Sequence, residues 1–299
     1  MIFAKNEVII CAGLIIHKYS KLLMQSGIGV EEELHSVGIE SKVQLSGFGK
    51  NLQDHPASIL QYELKAGNSN AAFEDCDENN GFYKNMILDW KSSQNGTGSD
   101  LQGLVGAFLK SNPSVINPDI EIQLETACLG PSDSGLRWKL GIQLLICLLA
   151  PTSSGTVQLF SKNPQEPPLI DMNILSTNQD VDRLADAFLL GRRIVKQRAF
   201  EPFIGKELLP GAEVESKEQI AKWLRNGAAT MQHACGTCRM GSATDPHSVV
   251  DHQLRLLGMR SLRVVDASVF PRIPRGNTNA PTILLAERAA TFILECDQN

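Results

Sequence analysis

The side chains whose types and spacing could do chemistry lie between Gln232 and Ile293. His233 sits in a polar turn, Gln232-His233-Ala234-Cys235-Gly236-Thr237-Cys238-Arg239-Met240-Gly241. Two amides, Asn277 and Asn279, sit in a second, Gly276-Asn277-Thr278-Asn279-Ala280-Pro281-Thr282. Between them Leu262-Arg263-Val264-Val265 is apolar and β-branched and ends in Asp266-Ala267-Ser268. That pattern predicts a buried strand that turns sharply at its C-terminal end. A histidine titrates near neutrality and can serve as a general base. An amide does not titrate, and orients a ligand by hydrogen bonding instead. The spacing therefore predicts a base and an amide brought close together at a strand end, where open α/β sheets bind ligands. The run from Pro281 to Ala290 predicts a helix, with proline in its first turn and Asn279 as its cap. Its N-terminus would aim N–H groups and a positive dipole at the preceding turn, favouring an anionic or electron-rich ligand.

Four blocks in one order carry a resemblance: His233-x-x-Gly236-Thr237-Cys238-x-Met240-Gly241, Val249-Val250-Asp251, Leu262 to Ser268, and Gly276 to Thr282. Together they resemble the C-terminal signature of the glucose-methanol-choline (GMC) oxidoreductases, flavoenzymes that oxidise alcohols. Lys50-Asn51-Leu52-Gln53-Asp54-His55-Pro56 is similar to that family's Gly-x-Asn-Leu-x-Asp-His block. Pro151-x-Ser153-x-Gly155 through Pro167-Pro168-Leu169-Ile170-Asp171 is similar to another of its blocks. The resemblance implies FAD as cofactor and a small-molecule alcohol as substrate. It implies His233 as the base that takes the alcohol proton while hydride leaves for the flavin N5, with Asn277 orienting the alcohol oxygen. It implies that Asp266, Ala267, Thr278 and Asn279 border the cofactor. A hydrogen-bonded core histidine at 233, and amides at 277 and 279 that act only as helix caps, are the plainer readings of the same residues. His55 either lines the active cavity or serves as a structural hydrogen-bonding histidine.

Composition narrows the class. Of 299 residues, 42% are hydrophobic and 20% charged, so a sizeable core can be buried. A net charge of −5 gives no reason to expect a nucleic-acid partner. The apolar run from Leu140 to Ala150 is too short to span a bilayer and holds Gly141 and Gln143, so no membrane partner is expected. Met1-Ile2-Phe3-Ala4-Lys5-Asn6-Glu7 does not read as a signal peptide, and a soluble, cytoplasmic chain is expected. The seven cysteines are odd in number and scattered, against a disulfide framework. Cys235-x-x-Cys238 lacks both the further ligands a zinc site needs and a thioredoxin-like setting, which favours small packing residues in a turn.

Along the chain, Glu7 to Gly13 predicts a short buried strand followed by glycine, and Ser20 to Gly29 a helix ended by glycine. Between them Leu14 to Tyr19 stands where the family usually carries serine or threonine followed by proline, an insertion that would shift N–H groups facing a cofactor. Ala66 to Gln102 is loop-like, with a short helix at Phe82 to Lys91. Pro118 to Glu125 alternates with period two and predicts a half-buried strand; Leu140 to Leu149 predicts another, and Pro151 to Leu159 a turn and strand. These three are expected in one antiparallel sheet, beside an amphipathic helix at Val181 to Val195.

No strand–Gly-x-Gly-x-x-Gly–helix unit is present. The expected architecture is an α/β flavin-domain remainder plus an α+β substrate domain with an antiparallel sheet, a truncated GMC-type fold. Its segments are residues 1–55 (partial FAD-binding domain), 56–229 (substrate-binding domain) and 230–299 (return to the FAD-binding domain). A missing N-terminal half is the expected partner, and its absence should expose an apolar face. On that expectation the chain alone binds FAD poorly and turns over little. Two other readings stand beside alcohol oxidation: a non-catalytic fragment or partner-completed half, and a relative that keeps the flavin but catalyses a non-redox cyclisation.

Overall fold

The computed structural model of the chain describes residues 4–13, 19–65, 87–88, 90–95, 105–132 and 135–296. In chain order its elements are β1 (Val8–Ile10), α1 (Tyr19–Gln25), β2 (Ile28–Gly29), α2 (Glu31–Ser36), β3 (Val43–Gln44), β4 (Pro56–Leu64), β5 (Val105–Leu109), β6 (Ile120–Ser132), β7 (Gly135–Leu148), β8 (Thr156–Gln158), β9 (Leu169–Asp171), α3 (Asn178–Val195), β10 (Ile204–Leu209), α4 (Lys217–Gly227), β11 (Ala229–Thr230), β12 (Leu262–Val264), a 3-10 turn (Ala267–Val269) and α5 (Asn279–Cys296). They divide into two compact units. One is Met1–Pro56, Leu149–Asp180 and Ala229–Asn299; the other is Ala57–Leu148 and Val181–Ala228. Residues 149–180, grouped by the sequence reading with the middle segment, fall in the first unit. The insertion at 14–18 and most of the predicted loop and helix between 66 and 102 lie outside the described residues; within that stretch 87–88 and 90–93 are helical.

In the first unit β1 and β12 pair in parallel, with Val8 opposite Leu262 and Ile10 opposite Val264. Ile10 and Val264 join a core with Leu23, Met24, Ile28, Phe48, Val249, Val250 and Val269. Helix α1 stops earlier than predicted. Gly27 has φ +87, and a Cβ there would sit 2.6 Å from the Glu40 carbonyl oxygen, so only glycine fits the turn. Ile28 and Gly29 then form β2, which pairs in parallel with β3.

The expected place of Pro151 to Leu159 in the large antiparallel sheet is also corrected. β8 pairs with β9, Thr156 opposite Asp171. Ahead of it Gly155 exchanges two backbone hydrogen bonds with Leu52, at 3.0 and 2.7 Å, and the Val157 N–H reaches the Gly49 carbonyl at 2.7 Å. The buried Asp180 carboxylate holds this turn, accepting from the N–H groups of Thr152 and Ser153 and from both their hydroxyls. These local partners outcompete sheet pairing.

The second unit is an antiparallel sheet in the order β10-β4-β7-β6-β5. Register puts Leu60 opposite Leu144, Ile122 opposite Ile146 and Ile120 opposite Leu148 on one buried face. Helix α3 lies on that face: a Cβ at Gly191 would come within 3.0 Å of Ile146 and 3.4 Å of Leu144 and Leu60. Leu184, Phe188, Gly191 and Val195 follow the helical repeat and are buried. Helix α4 starts with a Ser216–Gln219 capping box and buries Ile220 and Leu224. Its Trp223 ring lies 5.4 Å from that of Phe188. The opposite sheet face carries amides and acids in register, with Gln61 donating to Gln143 and Gln143 to Glu125.

Phe188→Ala should empty the contact between α3, α4 and the sheet and lower stability by about 3–5 kcal/mol, read as a shift in the chemical-denaturation midpoint; a shift near zero would mean that this helix layer is not part of the unit's core.

Candidate active site

The site is assembled around the Asn51 to Pro56 turn. Asn51 adopts φ 59, a left-handed conformation that asparagine tolerates. Its side-chain amide donates to the Gly236 carbonyl at 3.2 Å. Gly236 has φ +96, and a Cβ there would meet the Asn51 carbonyl oxygen at 2.4 Å, so the two turns close on each other only with glycine at 236. Gln53 and Cys235 exchange two backbone hydrogen bonds, at 2.9 and 2.8 Å. The Gln53 side chain accepts from the Ile273 N–H at 3.2 Å and donates to the Pro271 carbonyl at 3.4 Å. One short polar segment thus ties the histidine turn to the stretch that leads into α5.

Asp54 is buried, and its carboxylate positions two histidines. One oxygen accepts from the N–H of His55 at 2.7 Å and from the N–H of His233 at 3.0 Å. The other accepts from the Thr230 hydroxyl. Burial raises the Asp54 pKa, opposed by the hydrogen bond from Thr230 and by those from the two backbone N–H groups. Gln232, just before His233, is held at φ 62, a strained conformation for glutamine of the kind that clusters at functional sites.

The rings then meet. His55 Nδ1 lies 3.0 Å from His233 Nδ1, with the ring planes at 86°. His55 Nε2 lies 2.9 Å from the Pro274 carbonyl oxygen. A carbonyl only accepts, so Nε2 of His55 carries the hydrogen. In neutral His55, Nδ1 is then the acceptor, and the Nδ1–H of His233 donates to it. In neutral His233 the unprotonated nitrogen is then Nε2. His55 is fully buried, and burial, then the neighbouring His233, lower its pKa to about 4, so it stays neutral near pH 7.

The other predicted residues occupy strand and helix ends. Asp266 follows β12 and caps the 3-10 turn; its carboxylate accepts from the Ser268 N–H at 2.9 Å and from the Gly13 N–H, beyond β1, at 3.1 Å. The Ala267 carbonyl accepts from the Gly236 N–H at 3.3 Å, which lays the histidine turn along the 3-10 turn. Thr278 accepts the first helical bond of α5, from the Thr282 N–H at 3.1 Å, so Thr278 stands at the cap and Asn279 is the first helical residue. The predicted cap thus moves by one position. Asn277 and Asn279 are exposed and Thr278 is partly buried. The link from His233 to this segment runs through His55 to Pro274; Asn277 follows Pro274 in the chain.

The sequence reading omitted Asp54 as an orienting group and left His55 between two roles. The signal was the polar Gln53-Asp54-His55 run directly before a proline, which holds His55 in extended backbone. The Pro274 carbonyl has no side-chain signature. Cys235 and Cys238 are buried and form no disulfide; burial, with a smaller contribution from Asp54, pushes the Cys235 pKa to about 12. Among the described residues no group of three or more His, Cys, Asp and Glu could hold a metal ion, and no helix is long and apolar enough to cross a membrane.

The low pKa of His55 makes stability depend on pH. Native His55 stays neutral down to about 4, while the unfolded chain takes up a proton near 6.5. Unfolding therefore binds a proton between these values, so stability is complete above 6.5 and falls with pH by on the order of 3 kcal/mol by pH 4. His55→Gln should remove this slope in urea titrations across that range; an unchanged slope would show that other groups carry it.

Residues 151–286 match the family described as GMC oxidoreductase. The oxygen-dependent choline dehydrogenase of Vibrio vulnificus (strain YJ016) is 36% identical over 294 residues, covering 98% of this chain and 51% of the relative. The mitochondrial choline dehydrogenase of Homo sapiens is 37% identical over 292 residues, covering 97% of this chain and 48% of the relative. Among solved structures, pyridoxine 4-oxidase from Mesorbium loti aligns with TM-score 0.77 and 26% identity, over 95% of this chain and 50% of that one. A formate oxidase aligns with TM-score 0.85 at 22% identity, over 97% and 54%. The chain spans about half the length of the curated relatives it matches. Over that half it has the mixed α/β and antiparallel-sheet fold of these proteins, and it belongs to the GMC oxidoreductase family.

Proposed function

We propose that this chain supplies the base-bearing half of an FAD-dependent oxidoreductase that acts on the CH–OH group of a small alcohol. The observation that carries the reading is the hydrogen-bond relay from the Pro274 carbonyl through His55 to His233, which leaves Nε2 of His233 as its basic nitrogen. In this reading Nε2 takes the alcohol proton. Asp54 holds the backbone of both histidines, and His55 keeps the tautomer. Asn277 orients the alcohol oxygen through its amide.

The residues at the strand and helix ends suit a flavin. The carboxyl ends of the parallel pair β1 and β12 are where such sheets bind ligands. Gly13 there has φ +69, and a Cβ at that position would meet nothing within 4 Å. Thr278 and Asn279 open the 18-residue α5, whose N-terminus favours an anionic group. Asp266, Ala267, Thr278 and Asn279 would border FAD, and a bound flavin would supply the hydride acceptor. The first compact unit then carries the cofactor edge and the second the substrate surface. The relatives' names make choline the first alcohol to try.

The test uses two forms: the chain as it stands, and the chain fused behind the unmatched N-terminal half of the Vibrio vulnificus relative. After incubation with FAD and desalting, the chain alone should be nearly colourless, and the fusion should keep a flavin band and reduce a dye with choline. In the fusion His233→Ala should keep the band and lower kcat by about 10²–10⁴-fold. A loss under about tenfold with flavin retained would remove His233 from the role of base.

A further inference from the structure

The second unit holds a cavity of about 650 Å³, lined by no residue of the histidine site. That volume is in the range of small-molecule sites. One wall is a stripe of α3: Leu189, Arg192, Arg193 and Lys196 are spaced i, i+3, i+4 and i+7, which puts them on one side of the helix. The Lys196 N–H donates to the Arg192 carbonyl at 3.3 Å, so the last turn runs on past Val195 to include it. Tyr62 of β4 and Ile204 of β10 line the cavity as well. Its polar groups are unevenly used. Arg192 makes a two-point pair with Glu207, Nε donating at 3.1 Å and Nη2 at 2.6 Å, and the two side chains are only 12% and 13% exposed. Nη1 also donates to the Val214 carbonyl at 2.6 Å and Nη2 to that of Gly211 at 3.4 Å, while the Tyr62 hydroxyl donates to Glu207 at 2.9 Å. A guanidinium has five N–H groups, so one on Nη1 is left without a partner among the described residues. Arg193 and Lys196 are exposed and form no ion pair among the described residues. Glu215 is the one further acid in the lining. Since Arg192 and Glu207 cancel, the lining keeps a net positive charge.

We propose that this cavity is a binding site for a small organic carboxylate with an apolar body. The Arg193 guanidinium offers a planar fork of donors that matches a carboxylate, and no acid of the protein occupies it. Lys196 adds a point charge from the same side of the helix. Arg192 is fixed by Glu207 and two carbonyls, which leaves it a rigid wall rather than a competing cation. Leu189, Val195, Ile204 and the Tyr62 ring take the apolar part of the ligand. The net charge suits one carboxylate. A phosphate dianion would bring a second negative charge toward Glu207 and Glu215 and has no body to cover the apolar lining. The site lies in one unit and is independent of the His233 chemistry.

Titration of the 299-residue chain with 3-phenylpropionate, followed by residue-resolved amide NMR, tests it. The amides of Lys196 and Gly205, both in the lining, should shift saturably, and those of β12 should stay in place. The uncharged 3-phenylpropanamide and inorganic phosphate should each bind about tenfold or more weakly. Arg193→Gln with Lys196→Gln should weaken the acid by about tenfold or more while leaving the unfolding midpoint unchanged, since both side chains are exposed. No saturable shift at Lys196 and Gly205 would overturn the proposal. Equal binding of the amide would reduce the cavity to an apolar hollow, and equal binding of phosphate would reduce it to diffuse surface charge; either result overturns it. So would undiminished binding in the folded double variant. A double variant that unfolds leaves the comparison of acid, amide and phosphate on the unaltered chain to decide.

Discussion

One buried carboxylate sets the geometry on which the candidate site depends. Asp54 lies 179 positions before His233, yet a single oxygen accepts from the N–H of His233 and from the N–H of its neighbour His55. Hydrogen bonds to a charged group contribute about 1.5–3 kcal/mol each, roughly twice a neutral one. That strength matters because Gln232 is strained and the histidine turn has little regular structure to hold it. The carboxylate replaces the ladder that a strand would have supplied. The same burial that raises the Asp54 pKa makes an unpaired N–H there costly, so the three donors and the acid stabilise one another.

The clip continues on both sides of Asp54. Leu52 bridges to Gly155 and Gln53 to Cys235, so residues from three distant parts of the first unit meet at one short turn. Glycine at 155 and 236 is what lets backbones come this close: a Cβ at Gly155 would sit 1.8 Å from the Asp171 carbonyl oxygen, and one at Gly236 would sit 2.4 Å from that of Asn51. This accounts for the position of β8. A strand tied at its start to the Asp54 turn and to Asp180 satisfies its backbone locally and pairs with β9 rather than with the large sheet.

What could be read from residues alone follows the same division. β12 and α5 were legible because apolar periodicity and a proline in the first turn are local signals; β12 starts at Leu262 as read, and α5 starts at Asn279 and runs on past Ala290 to Cys296. α3 was legible from its buried repeat at Leu184, Phe188 and Val195. The end of α1 was misplaced because Gly27 and Gly29 both look like caps, and only the approach of Glu40 distinguishes them. β4 and β10 went unread: strand pairing is non-local, and β10 is irregular, with register shifts at Glu207 and Leu209. At the site, His233 was visible as a side chain in a polar turn. Its tautomer was not, because it is decided by a backbone carbonyl at Pro274, and every residue carries one.

That choice of anchor has a chemical consequence. Had a carboxylate held His55 Nε2, it would have favoured imidazolium at His55 and put a proton on the nitrogen facing His233. The neutral Pro274 carbonyl fixes the hydrogen on Nε2 without favouring the charged ring. Burial then keeps the pKa of His55 near 4, well below neutrality. With His55 neutral, Pro274 accepts from its Nε2–H and its Nδ1 accepts from the Nδ1–H of His233. Two histidines in contact would ordinarily compete for a proton over the same pH range. Here the surroundings of His55 remove it from that competition near neutral pH, and its ring holds the orientation of His233.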